Sequence, residues 1–391
     1  MLALAGGLAA PAAAAAPPRP DARAWILVDP RDGSAIATHA ARRRLPIAST
    51  TKLMTTYLAL ERLPLRKVVR APAYEAMPGE SLMGLRPGER VSVRSLLYGL
   101  LIRSGADAAI ALADAVSGSV PAFVALMNRA AGRLGLRDTH YANPVGLDAP
   151  ANYSSARDLA RLAAILLRDP RFRRIVATRR ADVPGAHPER VVTHNDLELR
   201  VPWVDGVKTG FTYGARYVLV ASGTRHGLTL ISVVLGAPTE AARDSGSLAL
   251  LRYGFSLYAS RVAVRAGERL GALRARGRRR VPLEAARTVR VEARSGQRLA
   301  VAWRRRHVRP PRAALAPGAR LGWVPVTLGG HPVARVGLVA GGGFGPGRSP
   351  GGDRVPAPAL VALAAAAIVI LIAGVAAGRR LATWRQRGSS P

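Results

Sequence analysis

The spacing of hydrophobic and polar positions divides residues 22–262 into strands, helices and strands again. Alternating runs at 24–28 and 35–38 flank the turn sequence DPRDG and predict two β-strands. From Ser49 to about Leu167 apolar residues recur with helical spacing between prolines. From Asp205 the runs KTGFT, YVLVASG and LTLISVVLG predict adjacent antiparallel strands. We therefore predict an α/β (α+β) domain with an antiparallel sheet, flanked by helices, that its first and last strands share.

A different pattern covers residues 263–340. Alternation around an SGQ turn at 288–303 and around a GG turn at 320–340 predicts two hairpins and a small all-β domain. Arginine is dense at 274–280 and 304–309. These runs are interpreted either as solvated loops and strand faces or as a polyanion site.

The two ends of the chain predict targeting and anchoring segments. Residues 1–16 are apolar and alanine-rich and resemble a signal peptide, with an alanine-rich tail as the alternative. The 20 uncharged residues 359–378 are enough to cross ~30 Å of hydrocarbon as a transmembrane helix. A Gly/Pro-rich linker at 341–358 favours this helix over a buried core helix. The arginines of 379–391 predict a basic cytoplasmic tail, and thus a single-pass protein of the cell membrane with its bulk outside the cytoplasm.

Composition limits the possible chemistry. The 391 residues carry a formal net charge of +34, which favours anionic lipids, anionic wall polymers or nucleic acid as partners. Cysteine is absent, so disulfides, thiol nucleophiles and cysteine zinc sites are excluded. The seven histidines have no HExxH spacing. We expect no metal and no other cofactor.

The scarcity of lysine draws attention to Lys52. Of the 58 lysines and arginines only three are lysine: Lys52, Lys67 and Lys208. Ser49 and Lys52 stand three residues apart where a helix is predicted to start, so their side chains share one face. A lysine with a lowered pKa can take the proton of a serine nucleophile, whereas arginine stays protonated. The alternative is that Ser49 only caps the helix and Lys52 lies in solvent.

Lys208 begins a second motif, DGVKTGFTYG. Lys208, Thr209 and Gly210 place a cation, a hydroxyl and a position without a side chain along a strand edge. Such an edge can bind an extended peptide or a carboxylate, and Gly210 permits a close approach. Lys67 has no comparable context.

Together these motifs resemble those of a known family. S-x-x-K and K-T-G belong to the signature of penicillin-binding proteins and class A β-lactamases. Residues 22–340 resemble the low-molecular-mass penicillin-binding proteins, the serine-type D-Ala-D-Ala carboxypeptidases of the peptidase S11 type. The similar segments are IASTTKLMT, LLIRSGADAAIALAD, YANPVGLD, YSSARDLARLA, DGVKTGFT and YVLVASG with LTLISVVLG.

The resemblance implies a role for each matching residue. Ser49 is the nucleophile. It attacks the carbonyl of the peptide bond between the two terminal D-alanines of a peptidoglycan stem peptide and becomes acylated. Lys52 accepts its proton, and Ser104 relays a proton to the leaving D-alanine. Water then hydrolyses the acyl-enzyme. β-Lactams are the expected covalent inhibitors.

The resemblance also implies how the strand motif binds substrate. Lys208 supports the proton relay electrostatically, and Thr209 helps to hold the terminal carboxylate beside Gly210. The backbone N–H groups of Ser49 and Phe211 form the oxyanion hole.

One position departs from the family pattern. The Ser-x-Asn motif here is Ser104-Gly105-Ala106, and Asp107 lies one residue further, about 100° around a helix. Loss of the amide predicts a weaker substrate contact, on the order of 1–3 kcal/mol. The alternative function is a catalytically weakened penicillin-binding or cell-wall scaffold.

Other classes fit less well. A class A β-lactamase needs a deacylating glutamate, and YANPVGLD has none. The G-x-S-x-G of an α/β-hydrolase occurs only at 347–351, inside the predicted linker. Binding of nucleic acid requires cytoplasmic exposure, which the predicted topology opposes, so we expect no nucleic-acid partner.

Overall fold

The computed structural model describes residues 16–183, 189–274, 280–301 and 316–341. The predicted signal-like segment up to residue 15, nearly all of the linker, the transmembrane helix at 359–378 and the basic tail lie outside these residues. In the described ranges no single helix is long and apolar enough to cross a membrane. Ala106–Ser117 and Val120–Arg133 reach that length and hydropathy only as a pair, and their axes meet at 84°.

The N-terminal region alternates strands with helices. Its elements are, in chain order, β1 (Ala24–Asp29), β2 (Ser34–His39), a 3-10 helix (Ala48–Thr51), α1 (Lys52–Arg62), β3 (Val68–Arg70), β4 (Arg90–Ser92), α2 (Val93–Leu101), α3 (Ala106–Ser117), α4 (Val120–Arg133), α5 (Ala156–Leu166), α6 (Pro170–Val176), β5 (Arg180–Val183), β6 (Glu189–Val192), α7 (Asp196–Arg200), β7 (Val204–Thr212), β8 (Arg216–Arg225), β9 (Leu228–Ala237) and α8 (Glu240–Ser256).

A five-stranded antiparallel sheet organises this region. Its strand order is β2-β1-β9-β8-β7. The prediction that the first and last strands share one sheet is confirmed, because β1 pairs with β9 from Ala24–Leu235 to Val28–Ile231. The strand β7, which carries the KTG sequence, is therefore an outer strand of the sheet.

Helices cover both faces of the sheet. Alternate residues such as Ile26 and Val233 face the larger core, which contains buried residues of α1 to α5. Their neighbours, such as Leu27 and Val234, face a smaller core that includes Leu251 of α8. This alternation is the period of two that the strand patterns predict.

Helix α8 and two short hairpins are not among the predicted elements. The buried face of α8 includes Arg243, Asp244, Gly246 and Ser247, so it lacks a continuous apolar stripe. The hairpins β3–β4 and β5–β6 have strands of three or four residues, too short for a clear alternation.

In the described residues of the C-terminal region, from 258 to 341, the regular elements are strands. They are β10 (Tyr258–Val264), β11 (Arg269–Arg274), β12 (Arg280–Ala285), β13 (Val289–Arg294), β14 (Leu299–Val301), β15 (Arg320–Leu328) and β16 (His331–Ala340). Five of them form a sheet in the order β11-β12-β16-β15-β14, and β10 pairs with β13. The first strand of this region thus begins at Tyr258, five residues before 263. The arginine runs at 275–279 and 304–309 lie outside the described residues.

One of the two predicted hairpins in this region is wrong. The hairpin over 320–340 is confirmed, since β15 pairs with β16. The segment 288–303 does contain two strands, but β13 pairs with β10 and β14 pairs with β15. Alternation identifies a strand but not its partner, and the three residues of β14 pair instead with the outer strand of the larger sheet.

A buried carboxylate joins the two regions. Asp29, at the end of β1, accepts hydrogen bonds from the Arg31 guanidinium and from the Tyr258 hydroxyl, the latter at 2.8 Å. Arg31 also donates to the backbone carbonyl of Glu292 in β13 at 2.8 Å. Hydrogen bonds to a buried charge are among the stronger ones in proteins. This network connects β1 to β10 and β13.

Candidate active site

Ser49 lies at a constrained turn between β2 and α1. It is the second residue of the 3-10 helix, and the preceding Ala48 has a left-handed backbone with φ of +46°. This conformation costs a non-glycine residue about 1 kcal/mol. Strained backbone of this kind is concentrated at functional sites, where the surrounding structure holds it in place.

The first turn of α1 places Lys52 beside the serine hydroxyl. The Lys52 Nζ atom lies 3.0 Å from Ser49 Oγ and donates to the backbone carbonyl of Val145 at 2.6 Å. The Lys52 side chain is only 3% exposed. Burial lowers the pKa of this amine from its ordinary value to about 7, although the carboxylates of Glu80 and Asp107 oppose the shift. An appreciable fraction of the amine is therefore neutral at neutral pH and able to accept a proton.

The loop at 143–147 holds the Val145 carbonyl in position. The side-chain oxygen of Asn143 accepts the backbone N–H groups of Val145, Gly146 and Leu147 at 2.7 to 3.2 Å. Thr55, one turn along α1 from Lys52, donates to the carbonyl of Pro144 at 2.8 Å. Sequence reasoning used YANPVGLD for its resemblance and for its lack of a glutamate, and missed these roles. The Asn-Pro and following Gly were the available signal, since both indicate a specific turn.

Strand β7 lies directly against the nucleophile. A Cβ atom placed on Gly210 would lie 2.8 Å from the backbone nitrogen of Ser49 and 3.0 Å from Ala48 Cβ. Gly210 thus permits close contact with the backbone of Ser49, while the close approach of a bound peptide or carboxylate stays a prediction. Thr209 is buried, whereas Phe211 is 45% exposed and packs against Tyr217 with tilted rings whose centroids are 4.5 Å apart.

Lys208 is the second buried lysine of the site. It is 2% exposed, and its Nζ donates to the carbonyl of Thr209 at 2.9 Å. Burial, then the positive charges of Lys52 and Arg243, hold its pKa well below the ordinary value. A bound carboxylate would favour the charged form of this amine.

Ser104 lies in the turn between α2 and α3, buried and in a left-handed conformation with φ of +65°. Ala106 follows as the first residue of α3, is 1% exposed, and donates its N–H to the carbonyl of Ser81 at 2.8 Å. Helix α3 packs against α1, which carries Lys52.

Asp107 does not replace the missing amide of the Ser-x-Asn motif. Its carboxylate accepts the backbone N–H groups of Met83, Gly84 and Leu85 at 2.8 to 2.9 Å. This confirms that Asp107 turns away from the position of Ala106. Its role is to hold the 83–85 segment against the start of α3.

His194, which the sequence reasoning missed, contacts the end of α2. Its backbone N–H donates to the carbonyl of Ile102. Partial burial, then the charges of Lys208 and Arg103, lower its pKa. Ser49, Lys52 and Gly210 are thus brought together, and Lys208 is near enough to Lys52 for their charges to interact. Ser104 lies in the turn that leads into α3, the helix that packs against α1.

Comparison with known proteins identifies the family. Residues 11–239 match the peptidase S11 family, described as D-alanyl-D-alanine carboxypeptidase, and the chain belongs to this family. The D-alanyl-D-alanine carboxypeptidase DacC of Escherichia coli K12 is 41% identical over 264 residues, 62% of this chain and 63% of that protein.

Solved structures share the fold of the described residues. Penicillin-binding protein 5 of Haemophilus influenzae is 31% identical, covers 85% of this chain and 100% of its own, and superposes with a TM-score of 0.61. The D-alanyl-D-alanine carboxypeptidase DacD of Francisella tularensis is 26% identical, covers 87% of this chain and 98% of its own, and has a TM-score of 0.61.

The chain spans less than two thirds of the length of its sequence relative DacC.

Gly146 provides a test of the geometry around Ser49. Its φ is +97°, and a Cβ atom there would lie 2.1 Å from the carbonyl oxygen of Ala48. Gly146→Ala must therefore displace the nucleophile or the Val145 loop, and we expect the acylation rate to fall by about 100-fold. The measurement is the rate of covalent labelling by a fluorescent penicillin.

Gly118→Ala is the matched control. Gly118 also has a left-handed φ, +74°, but no atom lies within 4 Å of the added Cβ. An alanine at Gly118 has similar backbone strain, so the Gly118→Ala variant should be less stable than the wild type and should keep the wild-type labelling rate. Equal labelling by the two alanine variants would show that the contact with Ala48 does not position Ser49.

Proposed function

We propose that the protein is a D-alanyl-D-alanine carboxypeptidase that removes the terminal D-alanine from peptidoglycan stem peptides through an acyl-enzyme at Ser49. The observation that carries this proposal is the 3.0 Å contact between Ser49 Oγ and the buried amine of Lys52. A serine hydroxyl next to an amine with a lowered pKa is an activated nucleophile. Membership of the peptidase S11 family supports the choice of substrate.

The first half of the reaction forms an ester. Ser49 Oγ attacks the carbonyl carbon between the two D-alanines, and its proton passes to neutral Lys52 Nζ. The backbone N–H groups of Ser49 and Phe211 are assigned to the oxyanion, in agreement with the close packing of β7 against the backbone of Ser49. When the C–N bond breaks, the nitrogen of the leaving D-alanine takes a proton through Ser104.

The second half restores the enzyme. Water attacks the ester carbonyl, and groups of the site accept the proton that the water loses. Ser49 Oγ then leaves the carbonyl carbon and takes up a proton. The products are the shortened peptide and free Ser49. In each half, the proton that the site accepts from the nucleophile equals the proton that it gives to the leaving group.

Strand β7 is assigned to substrate binding. As an outer strand it has one edge free of the central sheet, and an extended peptide can pair with such an edge. Thr209 is assigned to the terminal carboxylate, and Lys208 to electrostatic support of the proton relay. β-Lactams, which carry a strained amide next to a carboxylate, are proposed as covalent inhibitors at the same place.

Release of D-alanine tests the proposed activity. The full chain, incubated with a peptide ending in D-Ala-D-Ala, should release free D-alanine, and the Ser49→Ala variant should release none. Penicillin labelling without release of D-alanine would contradict carboxypeptidase activity and favour the weakened scaffold. Equal release by both proteins would exclude Ser49 as nucleophile.

The pKa of Lys52 predicts a pH dependence. The amine must be neutral to accept a proton, so the rate of penicillin labelling should rise with pH through about 7 and level off above it. Lys52→Arg should abolish labelling, because a guanidinium stays protonated. Lys67→Arg, at the exposed third lysine, should keep both rate and profile. A flat profile between pH 6 and 8, or labelling of the Lys52 variant, would refute the proton-acceptor role.

Ala106 predicts a gain of activity. Ala106→Asn restores the amide of the family motif, and a contact worth about 1–3 kcal/mol corresponds to a labelling rate raised roughly 5- to 150-fold. Ala106→Leu adds a side chain of similar size without the amide and should slow labelling. If both variants label more slowly than the wild type, this buried position does not accept an amide and the prediction is wrong.

We also propose a location at the cell membrane, with the catalytic region outside the cytoplasm. The uncharged run 359–378 and the arginines that follow it support this topology. External protease should then degrade the catalytic region on intact cells, and full protection would contradict it.

A further inference from the structure

A cleft of about 1120 Å³ lies at the sheet edge opposite β7. Residues of β1 and β2, helix α5 and the loops on either side of them line it, and His331 of β16 closes one side. Three strands separate β2 from β7, so the cleft is roughly 20 Å from the KTG strand at ordinary strand spacing. It is a site distinct from Ser49.

Seven of the 23 residues that line the cleft are arginines. Apolar side chains such as Ile26, Val28 and Ile165 contribute to the lining. The arginines that line it are Arg31, Arg42, Arg43, Arg137, Arg157, Arg161 and Arg168.

Two of these guanidinium groups are already paired. Arg31 binds Asp29 and Arg42 binds Asp138. Within the part of the chain that the structure describes, the other five side chains make no hydrogen bond or ion pair; they are Arg43, Arg137, Arg157, Arg161 and Arg168.

The three aspartates of the cleft offset these arginines only in part, and one of them, Asp158, interacts electrostatically with Arg157. Asp32 accepts the backbone N–H of Ser34 at 2.8 Å. Asp138 is bound by Arg42. Asp158 accepts the Thr139 hydroxyl at 2.8 Å and the backbone N–H of Asp138 at 2.7 Å. The cleft therefore holds a surplus of positive charge around a concave surface.

The positive charges of Arg157 and Arg161 repel each other when no anion is bound. They lie four residues apart on α5 and are both exposed, so their like charges repel along one helix face. An anion bound between them would remove that repulsion. Guanidinium groups suit phosphate in particular, because their N–H donors match two of its oxygens.

We propose that this cleft binds a linear ligand that carries two or more phosphate groups. Several unpaired guanidinium groups around a hollow require a ligand with several anionic groups. The concave form favours a narrow chain over the flat surface of a membrane, which would reach only the rim. A free polyphosphate and a phosphodiester polymer of the cell wall share this chemistry.

The test measures binding of sodium tripolyphosphate and of soluble poly(glycerol phosphate) to the full chain in neutral detergent at constant salt, by calorimetry. We expect at least one of the two probes to bind the wild-type protein. The variant Arg157→Gln/Arg161→Gln should bind at least tenfold more weakly. The probe that binds more tightly identifies the source of the phosphates.

The matched control is Arg129→Gln/Arg252→Gln. It removes the same charge from exposed positions of α4 and α8 outside the cleft and should change affinity less than twofold. Both variants should keep wild-type penicillin labelling, which shows that the fold is intact and keeps this result separate from the catalytic proposal.

Three outcomes would overturn the proposal. The first is no binding of either probe, and the second is an equal loss of affinity in both double variants, which would indicate attraction by net charge alone. In the third, the Arg157/Arg161 variant loses binding to anionic lipid vesicles while neither phosphate probe binds. That result would assign the arginines to a membrane surface.

Discussion

The burial of one amine, Lys52, is the constraint on which the site depends. A shift of its pKa from 10.5 to about 7 means that protonating it inside the protein costs about 5 kcal/mol more than in water. The amine is held there by hydrogen bonds to Ser49 Oγ and to the carbonyl of Val145. Without this burial it would stay charged at neutral pH and leave the serine hydroxyl inactive.

The surrounding structure excludes water from this amine from several directions. Asn143 fixes the Val145 loop, and Gly146 allows that loop to contact the carbonyl of Ala48. Gly210 likewise brings β7 against the backbone of Ser49. Both glycines therefore contact the same short segment, and a side chain at either position would displace it.

Much of this arrangement could be predicted from the sequence, because it depends on local spacing. Periodicity predicts three of these features. They are the three-residue separation of Ser49 and Lys52, the strand alternation around Lys208, and the sharing of one sheet by β1 and β9. What could not be predicted depends on tertiary approach. The carbonyl of Val145 carries no sequence signal, the carboxylate of Asp107 binds a loop more than 20 residues away, and the partner of β13 is β10 rather than its neighbour β14. The arginine cleft is formed by segments that are distant along the chain, so no single stretch predicts it.

The central claim is that Ser49 itself becomes acylated. Treatment of the full chain with penicillin, digestion by trypsin and mass spectrometry locate the adduct directly. We expect one penicilloyl group on the peptide of residues 45–52, and none on any peptide of the Ser49→Ala protein. An adduct on another residue, or equal labelling of the Ser49→Ala protein, would contradict it.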